Sequence, residues 1–217
     1  MTAMSRPTSP PASIIVDISG DLTESQRQNI RSHLSLSRLP ENEPLPEGLF
    51  NRLYGKAGQE AAKALEPYGY YTPEIKLTRQ WKDGSRHVAM TIATGPPVII
   101  QNVEILLSGA GEDDDTLRKA ADLFPLQPGD VLDHQTYEDG KDKLIAAALE
   151  RGYHQAVFRN NRVEISKKSL SASMRLYLDT GPRYLFGPLT FDADFIDHSL
   201  LHKIAPVREG DPFSPKA

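Results

Sequence analysis

GDVLDHQTYEDGKDKLIAAALERGY, residues 129–153, is the stretch that decides the fold. Tyr137, Leu144, Ala148 and Leu149 recur at helical spacing, which predicts a helix from His134 to Arg151 with one apolar stripe. Gly152 then stands where a left-handed residue ends a helix. The same punctuation recurs along the chain. Gly69-Tyr70 precedes Gly152-Tyr153 by 83 positions, Gly210-Asp211 follows Gly129-Asp130 by 81, and the turns Gly95-Pro96 and Gly181-Pro182 lie 86 apart. One period behind three separate markers is too long for a solenoid of helix pairs and right for a string of small domains.

The rest of each repeat fills in around that frame. In the first, Ile14, Val16 and Ile18 alternate as one face of a strand that Ser19-Gly20 closes. Thr23 with Gln26 makes a capping box, and Ile30 and Leu34 continue that helix. A second helix is expected from Glu47 to Tyr68, ended by Gly69. Thr72 to Gln80, the turn Asp83-Gly84, and a return strand carrying Val88, Met90 and Ile92 complete the unit as strand, helix, helix, strand, strand. The second repeat has the same order. Val103, Ile105 and Leu107 form its first strand, Asp114 or Asp115 caps a helix with Leu117, Ala121 and Phe124, and Ala156–Ser166 pairs with Ser171–Asp179 as a hairpin. A third repeat opens with Leu189 and Phe191 and a helix from Asp197 carrying Leu200, Leu201 and Ile204. Its second helix and hairpin are absent, so half a core is expected to be exposed and poorly ordered. The expected division is a flexible leader at 1–12, domains at 13–95 and 96–181, and an incomplete third domain at 182–217.

Composition narrows the class. The 217 residues are 39% apolar and 25% charged, with a net charge of −4. This is ordinary for globular protein and argues against a nucleic-acid binder, which needs a clustered basic face. With no cysteine there is neither a disulfide framework nor a thiolate metal site, which fits an oxidising compartment. No apolar run reaches the length of a membrane-spanning helix.

The order of elements, with Gly129-Asp130 before the second helix and Gly152-Tyr153 after it, resembles the POTRA domains of the TamA family in the Omp85 superfamily. Further residues that look like that family are Ala64-Leu65 leading to Gly69-Tyr70-Tyr71, Asp133-His134 through Tyr137 and Lys141, and Gly181-Pro182-Arg183-Tyr184 followed by Phe186-Gly187. The match spans about residues 13 to 213. It implies an α+β fold of tandem POTRA-like βααββ domains, each a three-stranded mixed sheet with two helices on one face. It also implies three periplasmic domains ahead of an outer-membrane β-barrel that this chain lacks. The expected role is a non-enzymatic scaffold in outer-membrane protein assembly and autotransporter secretion. Its partners would be a TamB-like inner-membrane-anchored protein, unfolded outer-membrane clients and the chain's own barrel. The alternatives are the POTRA region of another Omp85 assembly factor or of a two-partner secretion transporter, or a metal- or nucleotide-binding α+β protein.

A three-stranded sheet leaves edges whose free N–H and C=O groups can accept an extended segment, largely regardless of its sequence. In POTRA-like domains the strand after Gly-Tyr lies at an edge. The expected docking edges are therefore Thr72, Glu74, Ile75, Lys76, Leu77 and Thr78 in the first domain, and Ala156, Val157, Phe158, Arg159 and Val163 in the second. Against this, Lys76, Arg79, Arg159 and Arg162 are charges of the kind that blunt an edge. Trp81, which has no counterpart in the second repeat, is a candidate partner contact. Gly20, Gly69, Tyr70, Gly95, Gly129, Asp130, Gly152, Tyr153 and Gly181 are expected to be structural, with Tyr70, Tyr71 and Tyr153 as wedges between helix and sheet whose hydroxyls reach water.

Other constellations read more simply as structure. His198 and His202 have the spacing of a metal pair but no third ligand nearby. Ser108-Gly109-Ala110-Gly111 has the look of a dinucleotide loop, yet Glu112, Asp113, Asp114 and Asp115 would repel phosphate and suit helix capping instead. No catalytic set and no cofactor are expected.

Overall fold

The computed structural model describes residues 13–39, 46–82, 84–191 and 205–214. The chain divides into two compact units, the first built mainly from residues up to Ile99 and the second from most of the remainder. Each is α+β, with a three-stranded mixed sheet.

In the first unit β1 (Ile14–Gly20) is followed by α1 (Glu24–His33) and α2 (Glu47–Leu65), then by β2 (Glu74–Lys82) and β3 (Ser85–Ala93). The sheet order is β1-β3-β2, with β1 parallel and β2 antiparallel to β3. Period-two alternation produced this face: Ile18, Val88, Met90 and Ile92 are buried, and Ile14, Val16, Ile75 and Leu77 pack beside them. Ile30 and Leu34 and, from α2, Phe50, Ala57, Ala61 and Ala64 close over the same face. The capping box at Thr23 forms as the sequence dictates, with Thr23 Oγ1 accepting from the Gln26 N–H and the Gln26 amide oxygen accepting from the Thr23 N–H.

Two boundaries differ from expectation. The second helix stops at Leu65, and Glu66–Tyr68 continue as a 3-10 turn. Pro67 explains this, since it has no N–H for an α-helical bond and its ring crowds the preceding turn. At the other end of that connection β2 begins at Glu74, two residues after Thr72, because Pro73 cannot donate to a ladder.

The second unit repeats the pattern with β4 (Ile99–Ser108), α3 (Asp115–Asp122), α4 (His134–Glu150), β5 (Val157–Ser166) and β6 (Ser171–Asp179), and the sheet order β4-β6-β5. Ala172, Met174, Leu176 and Leu178 all face inward, as their alternation requires. Phe124 lies past the end of α3 but is buried against the edge of the Tyr137 ring.

The two Gly-Tyr corners are equivalent bond for bond. Gly69 (φ 84°) and Gly152 (φ 89°) are both left-handed. The N–H groups of Tyr70 and Tyr153 reach back to Leu65 O (3.3 Å) and Ala148 O (3.0 Å). The Gly69 carbonyl accepts from the Val98 N–H at 2.8 Å, and the Gly152 carbonyl accepts from the Tyr184 N–H at 2.7 Å. The Gly-Asp turns match too: Asp130 Oδ2 accepts from the Gln127 N–H (2.8 Å), and Asp211 Oδ2 from the Arg208 N–H (2.7 Å).

Of the third repeat, Leu189 and Phe191 are not in a strand. The described residues there form one bridge, Leu185 with Pro212, and the expected helix from Asp197 lies outside the described residues.

Candidate functional site

Strand order puts β2 and β5 at sheet edges, and the two edges are unlike. All nine β2 residues pair with β3 in unbroken register from Glu74 opposite Ala93 to Lys82 opposite Ser85. β5 carries a bulge: Phe158 pairs with Leu178 and Asn160 with Tyr177, which leaves Arg159 as the extra residue. Arg159 folds onto Asp179, its Nε 3.1 Å and its Nη2 3.0 Å from Oδ2. A bulge twists an edge out of line, so β5 is interrupted at Arg159, whereas β2 carries the charges of Lys76 and Arg79 but runs unbroken. Ala156, expected on this edge, precedes the strand and donates its N–H to Tyr153 O at 3.1 Å. Thr72 precedes β2 in the same way.

Glu74, Lys76 and Thr78 point to solvent on β2, while Ile75 and Leu77 turn toward the helices. That inward row runs on to Arg79 and Trp81, beyond the core. Here the sheet and the start of α2 enclose a cleft of about 470 Å³ lined by Glu47, Phe50, Asn51, Arg79, Trp81 and Arg86. Trp81 is 61% exposed. Arg79 donates to Asn51 Oδ1 and lies 5.1 Å from the Tyr54 ring centre. The Arg86 guanidinium stacks 4.6 Å from the ring centre of Phe50 and 5.5 Å from that of Trp81. Its Nη1 is buried and has no hydrogen-bond partner among the described residues. The first turn of α2 at this cleft has no side-chain cap, because Pro46 occupies the cap position.

In the second unit the acidic run after Gly111 is a cap. Asp114 Oδ1 accepts from the Thr116 and Leu117 N–H groups, and Oδ2 accepts from Arg151 Nε (2.9 Å) and the Tyr153 hydroxyl (3.2 Å). Burial alone would raise the Asp114 pKa; the hydrogen bonds from Arg151, the Thr116 N–H and Tyr153 outweigh it and hold the carboxyl below the usual range. Tyr153 is thus a wedge, 2% exposed, but its hydroxyl reaches Asp114 rather than water. Tyr70 packs against the first core. Gly20, Gly69, Gly95, Gly129, Gly152 and Gly181 all adopt positive φ. Among the described residues no group of three or more histidine or acidic side chains is placed to hold a metal, and His198 and His202 lie outside them. No helix among the described residues is long and apolar enough to cross a membrane.

With this geometry in place, residues 15–94 match the family model described as POTRA domain, TamA domain 1. The first unit is a TamA-type POTRA domain. The second POTRA-like unit has the same element order and the same corner bonds. Among solved structures, POTRA3-5 of BamA from Haemophilus influenzae is similar at 17% identity and a TM-score of 0.44, covering 99% of this chain and 84% of that one. POTRA1-2 of Omp85 from Anabaena is similar at 17% identity and a TM-score of 0.37, covering 79% and 94%. CdiB from Escherichia coli is similar at 16% identity and a TM-score of 0.29, covering 82% and 28%.

Proposed function

We propose that this chain is a periplasmic scaffold of an outer-membrane assembly factor, serving autotransporter secretion, and that it captures extended segments by adding them to the β2 edge. The supporting observation is the contrast between edges: β2 offers nine residues in unbroken register, whereas β5 is interrupted at Arg159. Backbone pairing gives affinity that depends little on client sequence, which suits a module handling many unfolded barrel polypeptides as well as a TamB-like partner. β5 serves the same role less well, over the stretch beyond its bulge.

The test is capture of a urea-unfolded outer-membrane barrel polypeptide by the immobilised 217-residue chain. Leu77→Pro removes a backbone donor that β2 turns to its open edge, since Lys82–Ser85 across the two-residue turn is a hydrogen-bonded pair and the N–H groups of Lys76, Thr78 and Gln80 therefore face β3. Capture is expected to fall at least tenfold while the circular dichroism spectrum is kept. Full capture by the folded variant rejects the edge.

A further inference from the structure

We propose that the cleft at the end of β2 is a carboxylate-reading pocket, which selects extended segments that carry an acidic side chain two to six residues beyond their apolar positions. The inference rests on the β2 edge reading and deepens it.

Arg86 provides the first argument. A guanidinium nitrogen buried without an acceptor is costly, because the charge has lost water and gained no partner. Its flanks are occupied by the Phe50 and Trp81 rings, which hold the fork in place and keep it from folding back into solvent. Nη1 itself is closed off, so a newcomer meets the guanidinium at the atoms that line the cleft, where its uncompensated charge favours a carboxylate, the acceptor that matches such a fork in shape and charge.

Register supplies the second, independent argument. Ile75, Leu77, Arg79 and Trp81 lie on one face of β2, so that row passes from apolar to cationic along the strand. A strand laid against the β2 edge places its own side chains beside these in alternation, and cross-strand neighbours of opposite charge attract. Valine or isoleucine would sit beside Ile75 and Leu77, and aspartate or glutamate beside Arg79 and Trp81. Arg79 has one nitrogen engaged by Asn51, which leaves the rest of its fork available to a newcomer. Glu47 is the opposing charge in the cleft, exposed at the first turn of α2. Two guanidinium groups against one carboxylate leave a net positive site.

Trp81 is the only tryptophan in the chain, so its fluorescence reads this cleft directly. The probe is an acetylated, amidated peptide of alternating threonine and valine with glutamate at both ends, so that either strand direction brings an acid to the cleft. The control has glutamine in place of both glutamates. At low salt the glutamate peptide is expected to bind the full chain at least tenfold more tightly than the control, and 0.5 M salt should shrink that ratio. Arg86→Met should abolish the preference. Arg79→Gln, milder because Arg79 is exposed, should reduce it, and Glu47→Gln should sharpen it. Lys143→Gln, exposed on α4 and on neither edge strand, should leave it unchanged.

Equal affinity for the two peptides overturns the pocket, as does a preference that survives both arginine substitutions in the cleft. A third peptide, the glutamate probe N-methylated at alternate residues, separates this outcome from failure of edge docking. If N-methylation has no effect while the glutamate preference persists, the edge falls and the pocket stands. If N-methylation abolishes binding while the two unmethylated peptides bind alike, the pocket falls and the edge stands. Absence of binding by all three rejects both.

Discussion

Gly140 sits in the middle of α4, where helix propensity alone would favour alanine by about 1 kcal/mol. A Cβ at that position would lie 2.6 Å from Phe124 Cε2 and 2.9 Å from Pro125 Cδ. Phe124 is 2% exposed and packed edge-on to Tyr137, so it has little room to retreat. Overpacking of this kind costs about 1–3 kcal/mol. Gly140→Ala is therefore expected to destabilise by about 1–2 kcal/mol in chemical denaturation, whereas a stabilised variant would mean that Phe124 yields freely. Nothing in the sequence flagged this glycine, since its constraint comes from a ring sixteen positions away. Arg86 is a similar case: its stacking on Phe50 and its unmet nitrogen exist only once α2 and the hairpin are brought together.

Between elements, one carboxylate ties the start of α3 to the end of α4. Asp114 caps α3 and accepts from Arg151 and Tyr153, which flank the Gly152 corner. Its folded pKa is lowered, so it contributes stability that is present above the ordinary carboxylate pKa of about 4 and is lost as pH falls through the folded value. Asp114→Asn keeps a capping oxygen and removes the charge. The variant is expected to lose about 1–2 kcal/mol at pH 7 and to show a flatter stability profile than the parent below pH 5, measured by urea unfolding across pH. The cap itself was legible, since an acid before Leu117 and Ala121 announces a helix start. The link to Tyr153 was not, because a tyrosine after a helix cap says nothing of where its hydroxyl points. The edges divide similarly: alternation found β2 and β5, though β2 starts at Glu74 rather than Thr72 and β5 at Val157 rather than Ala156, but the bulge at Arg159 follows from pairing with β6 and leaves no mark on a period-two pattern.

Across the whole molecule the repeat is a matter of bonds as well as spacing. Gly69 and Gly152 share a positive φ, and a Cβ would lie 2.6 Å from Leu132 O at the first and 2.4 Å from Tyr184 O at the second. Backbone cannot step aside as a side chain can, and positive φ disfavours any residue with a Cβ. Gly69→Ala and Gly152→Ala are each expected to cost about 2 kcal/mol or more, and to a similar degree, in thermal unfolding followed unit by unit through hydrogen exchange. A silent variant at either corner would mean the two are not equivalent. The Gly-Tyr and Gly-Asp pairs carried this architecture in the sequence because punctuation residues are chosen by backbone geometry, which the two units share. Val98 shows where the sequence pattern stops short of the physical module. The family match ends at residue 94, yet Val98 is fully buried and its N–H is the one that meets the Gly69 carbonyl. A fragment cut at the end of the recognisable motif would leave that carbonyl open at its corner and lose a buried valine, so the smallest self-sufficient piece is longer than the signature by which it is recognised.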